Sequence, residues 1–294
     1  MKKKMSAFGI IILVIMIVYS IVLLSLFVWG LLSSFRPHFG VVEHPLKVFE
    51  DFSFTKNYTE LIKNFKFKSG RKQFDFISLF GNSLLYAFLA AFAQTLCTAI
   101  VAYVTTKYPC KFSSLIGVVV VIVTILPIVG NLPSMIVVTR DVLKVYGTII
   151  GAVLMKFGFA TVYYFIFCAA FKKISWEYAE AAFIDGASHF RVFFTIMLPL
   201  ESTLLGTIFL LNFISYWNDF ETPYMFLKDY PTLSVGLFGL MTNNGVPQKL
   251  ANSTPILLCA AFIVFLPLLI LLIIFRDKII GNLDDGGIKG WESL

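Results

Sequence analysis

One charged side chain lies where the surrounding sequence is apolar. Lys156 falls inside the apolar stretch 147–171. With a helical rise of about 1.5 Å per residue from Gly147, it would lie about 13 Å deep, near the middle of a bilayer. A charge at that depth is costly and usually faces a partner or water, which predicts a place on a solute path. The alternative is that the helix begins later and Lys156 snorkels to the membrane surface.

A second polar group closes the apolar stretch 198–220, where Trp217, Asn218 and Asp219 are consecutive. Aromatic faces combined with amide and carboxylate groups suit sugar binding, so these residues are candidates for substrate contact. The alternative is structural, because Trp is common in interfacial belts and an Asn-Asp pair can cap a helix end. Asn212 and Gln94 are polar residues that could face the bundle or simply join helices by hydrogen bonds.

Metal and catalytic chemistry find little support in the sequence. The cysteines form no C-x-x-C pair, and three of the four lie in apolar stretches, which favours packing roles. No H-E-x-x-H, G-x-S-x-G or G-x-x-x-x-G-K-[ST] motif is present. We therefore expect no metal, no cofactor and no enzymatic activity in this chain. The residues concerned are Cys97, Cys110, Cys168, Cys259 and the scattered His38, His44 and His189.

The composition indicates which elements must position these residues. The chain is 58% hydrophobic and only 14% charged, whereas soluble domains are about 25% charged. The apolar residues come in blocks, and a block of roughly 18 or more apolar residues is typical of a membrane-spanning helix. Backbone in lipid must satisfy its own hydrogen bonds, so the sequence predicts an all-α integral membrane protein.

Six such blocks predict one membrane domain over residues 1–294 with six spanning helices. The third block contains Pro127, Gly130, Asn131 and Pro133, which predict a packing kink or an unwound segment that lines a cavity. A long hydrophilic loop covers about 35–80, and a charged loop covers about 172–196. The predicted helices are about 7–32, 82–106, 114–138, 147–171, 198–220 and 254–275.

The basic residues bear on partners and on sidedness. The net charge of +7 does not indicate nucleic-acid binding, because the basic residues are spread over the N-terminus and loops rather than along one helix. The raw count of Lys and Arg does not decide which side of the membrane is cytoplasmic. Basic residues that flank helix ends carry more weight, and they favour a cytoplasmic N-terminus.

The charged loop contains a short segment with a helix–turn–helix pattern. Ser175 is placed to cap a helix, and Glu177 and Glu180 suit the positive end of its dipole. Small residues on one face of this helix would let another surface approach closely. Gly186 is the natural break, and Pro199 can bend the segment that follows.

This segment carries a resemblance to a known family. Glu180, Ala181 and Ala182, then Gly186, then Ile196, Leu198 and Pro199 resemble the EAA loop of binding-protein-dependent ABC importer permeases, at that family's spacing. The runs 217–220, 232–237 and 286–290 resemble the carbohydrate-uptake (maltose MalG-like) members, although Ser234 stands where proline is common. Asn82-Ser83-Leu84 resembles the family's start of the second helix.

The resemblance implies the MetI-like fold of type I ABC importers, with an EAA coupling helix in a groove of a cytoplasmic ATPase. It implies a bacterial cell-membrane protein with both termini cytoplasmic, which imports a carbohydrate, with an oligosaccharide as the expected substrate. The implied partners are a second homologous permease subunit, two ABC ATPase subunits that hold ATP and Mg, and an extracellular solute-binding protein. The alternatives are a permease for another solute such as a polyamine or phosphate, or a membrane anchor or assembly protein without transport activity.

Overall fold

Helices dominate the structure, as the composition predicts. The computed structural model describes residues 7–49, 52–53, 55–126 and 131–286. A two-stranded hairpin, β1 (Lys66–Ser69) and β2 (Lys72–Asp75), lies in the first long loop. Two π-helical turns occur at Val138–Val142 and Phe193–Met197. The α-helices are α1 (Ala7–Ser34), α2 (His38–Glu43), α3 (Lys56–Asn64), α4 (Phe76–Lys107), α5 (Lys111–Ile125), α6 (Asn131–Val137), α7 (Ile149–Lys156), α8 (Val162–Lys173), α9 (Glu177–Ile184), α10 (His189–Val192), α11 (Leu198–Leu200), α12 (Ser202–Asn218), α13 (Glu221–Phe226), α14 (Leu233–Thr242), α15 (Gln248–Ala251) and α16 (Thr254–Gly286).

Three helices among the described residues are long and apolar enough to cross a membrane. They are α1 over Phe8–Ser34, α4 over its whole length, and α16 over Thr254–Phe275. The pair His189–Leu200 and Ser202–Asn218 would form a fourth span if taken together, with a bend of 81°. Pro199 lies just before that bend. The apolar residues of α1 are exposed all round, a surface that requires lipid as its solvent.

The fourth predicted helix differs from the structure, which has α7 and α8 in place of one helix over 147–171. Gly158 lowers the helix propensity of the break, and Thr161 has extended backbone before α8 (φ −135°, ψ 163°). The Thr98 hydroxyl donates to the Gly158 carbonyl at 3.3 Å. Irregular backbone in a membrane protein needs such a partner. Lys156 therefore lies at the C-terminal end of a short helix, not inside a long one.

The third predicted helix is also divided, with α5 ending at Ile125 and α6 beginning at Asn131. Pro127 and Gly130 lie outside the described residues, so the expected kink or unwound segment there stays a prediction. Pro133 lies in the first turn of α6, where a missing backbone N–H costs little because that group has no helical acceptor.

The chain forms two compact units. Unit 1 contains the described residues of Met1–Ile77 and Gly236–Pro267. Its long hydrophilic loop is folded through polar contacts. The Asn57 amide donates to the carbonyls of Ser34 and Arg36, both at 2.8 Å. The buried Arg36 guanidinium donates to the carbonyls of Gly40 at 2.8 Å and His44 at 3.2 Å. These bonds fix α2 and α3 to the end of α1.

The hairpin in unit 1 is anchored by one aromatic side chain. Phe67 faces Phe74 across the antiparallel pair, and its buried ring packs against Gly239 and Gly245. The Lys68 N–H donates to the Gly245 carbonyl at 2.6 Å. Because a side chain at either glycine would occupy the ring's space, the glycines permit this close approach.

Unit 2 contains the described residues of Ser78–Val235 and Leu268–Leu294. Its core is aromatic and draws on α4, α5, α8 and the segment from α9 to α12. Tyr103 contacts Phe171 with ring centroids 5.5 Å apart and Phe193 at 4.8 Å. Offset and edge-to-face ring pairs of this kind stabilise beyond their buried area. The EAA segment packs on this core.

Candidate coupling surface and polar membrane cluster

The EAA segment has a well-defined backbone. The Ser175 hydroxyl accepts the Glu177 N–H at 3.3 Å, at the start of α9. The helix ends in a Schellman arrangement, in which the Gly186 N–H donates to the Phe183 carbonyl at 3.0 Å and the Ala187 N–H donates to the Ala182 carbonyl at 2.9 Å. Gly186 has φ +80°, a conformation that glycine adopts without strain.

A second short helix follows at once. The Ser188 hydroxyl accepts the Arg191 N–H at 3.4 Å and caps α10. The His189 Nδ1 atom and the Tyr108 hydroxyl are hydrogen-bonded at 2.8 Å, and the Tyr108 ring also packs edge-on against Trp176. The segment is thus held against the end of α4 by aromatic and polar contacts.

One face of α9 is occupied by this chain itself. Ala179 is fully buried, and Ala182 and Phe183 are half-buried against the aromatic core of unit 2. The sequence suggested that these small residues would admit another surface, but they admit α9 to its own unit. The partner that the EAA pattern implies would therefore have to meet the opposite face of α9.

The opposite face is exposed and carries part of the EAA pattern. Glu180, Ala181 and Gly186 are exposed, and a side chain added at Gly186 would meet nothing within 4 Å. Two apolar side chains that the sequence analysis did not single out are exposed as well, with Ile184 at 86% and Phe190 at 79%. The sequence did not distinguish them, because the segment also contains apolar residues that the structure packs into the core of unit 2, such as Phe183 and Val192.

The remaining EAA positions, Ile196, Leu198 and Pro199, lie after α10 and outside the exposed face of α9. Ile196 and Leu198 are half-buried, and Pro199 is exposed in the short helix α11. Leu198 packs on the aromatic core. We therefore define the coupling surface by the exposed residues of α9, its turn and α10: Glu180, Ala181, Ile184, Gly186 and Phe190.

Two residues of the predicted solute path, Lys156 and Asp219, meet in a polar cluster. The Lys156 Nζ atom lies 3.2 Å from Asp219 Oδ2, with side-chain exposures of 26% and 14%. Tyr86 donates its hydroxyl to the same oxygen at 2.8 Å. Asp219 Oδ1 accepts the Thr222 N–H at 3.0 Å at the start of α13. The ion pair joins two residues that the sequence analysis singled out separately.

The other polar side chains link neighbouring helices. The Lys156 ammonium lies 5.4 Å from the Tyr216 ring centroid, a cation–π contact, and the Tyr216 hydroxyl donates to Gln94. The Asn212 amide donates to the Thr95 hydroxyl at 2.9 Å. Asn212 and Gln94 thus join α12 to α4, the structural alternative that the sequence left open.

Trp217 and Asn218 are placed differently from Asp219. The Trp217 ring is only 2% exposed and packs against Phe80 and Phe213, with centroids 5.6 and 5.9 Å apart. Asn218 is exposed and its amide donates to the Ile214 carbonyl at 2.9 Å. Among the five residues predicted for the solute path, the structure thus joins Lys156 to Asp219 through an ion pair. The buried Trp217 ring offers no face to a sugar in this arrangement.

Comparison with known proteins identifies the class. A family model described as the binding-protein-dependent transport system inner membrane component matches residues 94–284. The match covers more than half of the chain, so the chain belongs to this family of membrane transport components. The family expected from the EAA pattern is confirmed, and the chain is a multi-pass membrane protein.

Two curated relatives and one solved structure illustrate the similarity. AraQ of Halalkalibacterium halodurans, an arabinooligosaccharides transport system permease protein, is 29% identical over 215 residues, covering 72% of this chain and 74% of AraQ. MalG of Thermococcus litoralis, a trehalose/maltose transport system permease protein, is 25% identical over 281 residues, covering 93% and 94%. A crystal structure of a bacterial ABC transporter involved in the import of the acidic polysaccharide alginate matches with a TM-score of 0.76 and 19% identity, covering 94% of this chain and 99% of that one. The predicted MetI-like permease fold is thereby confirmed, whereas the coupling role of the EAA segment stays a prediction.

Proposed function

We propose that this chain is a permease subunit of an ATP-driven importer that moves an oligosaccharide into a bacterial cell. The names of the relatives support a sugar substrate, because AraQ and MalG are permeases of arabinooligosaccharide and trehalose/maltose systems. A second permease subunit would complete the path, and an extracellular binding protein would deliver the sugar. A polyamine or phosphate permease is the nearest alternative.

The observation that carries the coupling proposal is the exposed side of α9 and its turn. Its Ile184 and Phe190 side chains are large, apolar and solvent-exposed, while the opposite side of α9 is held by the core of unit 2. Buried aromatic and aliphatic anchors dominate the affinity of protein interfaces. We assign this surface to a groove of the cytoplasmic ATPase, which makes residues 172–196 and both termini cytoplasmic.

The mechanism follows from alternating access. ATP binding draws two ATPase subunits together and displaces the coupling surfaces seated on them. The permease bundle then changes from an inward-open to an outward-open arrangement, and the binding protein releases its sugar to the open side. We assign the Lys156–Asp219 cluster to the solute path, where the ion pair keeps a membrane charge compensated.

The coupling surface is tested by Ile184→Asp and Glu180→Lys in the reconstituted importer. A carboxylate forced into an apolar groove without a partner loses its hydration, so Ile184→Asp should reduce sugar-stimulated ATP hydrolysis at least tenfold. Glu180→Lys reverses the charge at the helix N-terminus and should also lower hydrolysis. The measurements are ATP hydrolysis, co-purification of the ATPase and the amount of permease in the membrane.

The matched control is Leu46→Asp, because Leu46 is also 86% exposed and lies in the long loop of unit 1. This variant should retain both the ATPase and its stimulation. Normal hydrolysis and co-purification with Ile184→Asp would disprove the assignment of this surface. A panel of radiolabelled solutes in proteoliposomes separately decides between a sugar and a polyamine or phosphate.

A further inference from the structure

A short segment of the long loop in unit 1 leaves three apolar side chains exposed. It covers residues 42–49 and begins in the last turn of α2. Val42 is 58% exposed, Leu46 86% and Phe49 79%. Neither of the two candidate sites in unit 2 uses these residues. Large apolar side chains exposed together in one segment indicate contact with a partner or a membrane.

The exposed part of α1 locates the border of the hydrocarbon next to this segment. Every side chain of α1 from Phe8 to Val28 is exposed. At about 1.5 Å per residue this stretch is about 31 Å long, close to the hydrocarbon thickness of about 30 Å. A neighbouring protein helix can cover only one side of α1, so its other sides face lipid. Trp29, the next residue, therefore lies at the border, where Trp is enriched in membrane proteins.

The hydroxyl groups within this stretch are compatible with lipid. Ser20 donates its hydroxyl to the Met16 carbonyl and Ser25 to the Val22 carbonyl, both at 2.8 Å. A polar group in hydrocarbon is tolerated when it is hydrogen-bonded within the protein. These serines therefore do not shorten the part of α1 that lipid can surround.

One hydrogen bond places the segment at the level of Trp29. The Trp29 Nε1–H group donates to the Pro45 carbonyl at 2.7 Å. Leu46 follows Pro45 directly in the chain, so its backbone lies at the same border. The segment thus folds back along α1 instead of extending away from the membrane.

The fold-back is fixed by a second group of hydrogen bonds. The buried Arg36 guanidinium donates to the carbonyls of Gly40 and His44, and the Lys47 N–H donates to the His44 carbonyl at 3.2 Å. Backbone that enters the membrane border loses part of its hydration and needs partners within the protein. The carbonyls of Gly40, His44 and Pro45 have such partners.

We propose that residues 42–49 form an interfacial segment that binds phospholipid beside the C-terminal end of α1. Val42, Leu46 and Phe49 insert among the glycerol and upper acyl groups, as apolar side chains of interfacial segments do to a depth of about 5–10 Å. Position selects lipid as the occupant, because Leu46 extends the lipid-facing surface of α1 at the level where the headgroups begin.

The inference needs only the membrane location of the family and goes beyond the proposed function, which makes this leaflet the outer one. Helix α1 spans the membrane by itself. A change within the segment should therefore alter the local lipid contact without removing the permease from the membrane or from its ATPase.

The test places the photoreactive residue p-benzoylphenylalanine at the position of Leu46 or Phe49 in the complete importer. The nanodiscs contain phosphatidylethanolamine and phosphatidylglycerol with radiolabelled acyl chains. Ultraviolet light should join labelled lipid to the permease at both positions, and mass spectrometry should place the new bond on the glycerol or the upper acyl carbons.

Two control positions calibrate the amount and the depth of labelling. Ile184 is also 86% exposed but is flanked by the exposed carboxylates of Glu180 and Asp185, and it should give at least fivefold less labelled permease. Val18 lies halfway along the exposed part of α1 and should give bonds near the ends of the acyl chains.

Equal labelling at Leu46, Phe49 and Ile184 would overturn the interfacial segment. Bonds to a second permease subunit or to the solute-binding protein in place of lipid would also overturn it and make the segment a protein interface. Bonds near the chain ends, as at Val18, would overturn its placement at the border. None of these results bears on the proposed function, which sugar uptake and ATP hydrolysis test separately.

Discussion

Removing one member of the Lys156–Asp219 pair should affect the protein differently depending on which member is removed. In Lys156→Met, Asp219 keeps the Tyr86 hydroxyl and the Thr222 N–H as donors. In Asp219→Asn, the Lys156 ammonium keeps the Tyr216 ring at 5.4 Å but loses its carboxylate. The Asp219 carboxylate left alone in Lys156→Met is therefore better compensated than the Lys156 ammonium left alone in Asp219→Asn.

The magnitudes follow from this difference. Breaking a fully buried ion pair costs about 3–5 kcal/mol, and the partial exposure of both side chains reduces that cost. We expect Asp219→Asn to lower the free energy of unfolding by about 2–3 kcal/mol, near the cost of a lysine in a membrane helix. Lys156→Met should cost about 1–2 kcal/mol, because a carboxylate with two hydrogen-bond donors remains partly satisfied.

The double variant, Lys156→Met with Asp219→Asn, removes both charges and should be more stable than the sum of the single changes predicts. The expected coupling energy is about 1–2 kcal/mol, which exceeds the roughly 0.5 kcal/mol scatter of independent sites. The assay is reversible unfolding of the purified permease in mixed micelles, for all four proteins of the cycle. Lys228→Met, at an exposed lysine of unit 2, is the control and should change stability by less than 0.5 kcal/mol, about the limit for surface sites.

Two results would refute the reasoning. Strict additivity would mean that the two charges do not interact, whatever their separation. Unchanged sugar affinity and uptake rate with Lys156→Met would remove Lys156 from the solute path, even if the stability cycle succeeded. The two readouts therefore separate a structural ion pair from one that also affects transport.

Two further changes test the folding of unit 1. A Cβ atom at Gly239 would lie 2.8 Å from the Phe67 ring, so Gly239→Ala should lower the free energy of unfolding by about 1–3 kcal/mol. The measurement is the melting temperature of the purified permease. The control is Gly81→Ala, where an added Cβ would meet nothing within 4 Å, and it should not lower the melting temperature. Asn57→Ala removes the amide that donates to the Ser34 and Arg36 carbonyls, although Ser34 keeps the Cys259 thiol, and it should cost about 2 kcal/mol in the same melting assay. The exposed Asn64→Ala should leave stability nearly unchanged. Equal melting temperatures within either pair would contradict the assigned contact.

The sequence predicted those features that depend on neighbouring residues. The apolar blocks located α1, α4 and the membrane portion of α16 because a run of apolar residues is a local signal. Gly186 was predicted to break the EAA segment, and the Schellman turn there follows from its positive φ. These features need no knowledge of which helices meet.

Features that depend on distant contacts were not predictable in the same way. The Lys156–Asp219 ion pair and the packing of Phe67 against Gly239 and Gly245 both join residues from separate segments. No local pattern of apolar and polar residues in the sequence indicates such contacts. The break between α7 and α8 brings the Gly158 carbonyl within 3.3 Å of the Thr98 hydroxyl of α4, a contact between segments that are distant in the sequence. The burial of Ala179 likewise depends on the aromatic core that α9 meets.

Helix α12 links the two candidate sites of unit 2. It begins at Ser202, directly after the bend that follows the EAA segment, and ends at Asn218, beside the Asp219 carboxylate. Its 17 residues span about 26 Å at 1.5 Å per residue. Side chains of α12 near that end, Asn212 and Tyr216, are hydrogen-bonded to α4. Because a packed helix moves as a rigid element, a displacement of the EAA segment would move α12 and, with it, the Lys156–Asp219 pair. Helix α12 would thus connect the proposed ATPase contact to the proposed solute path.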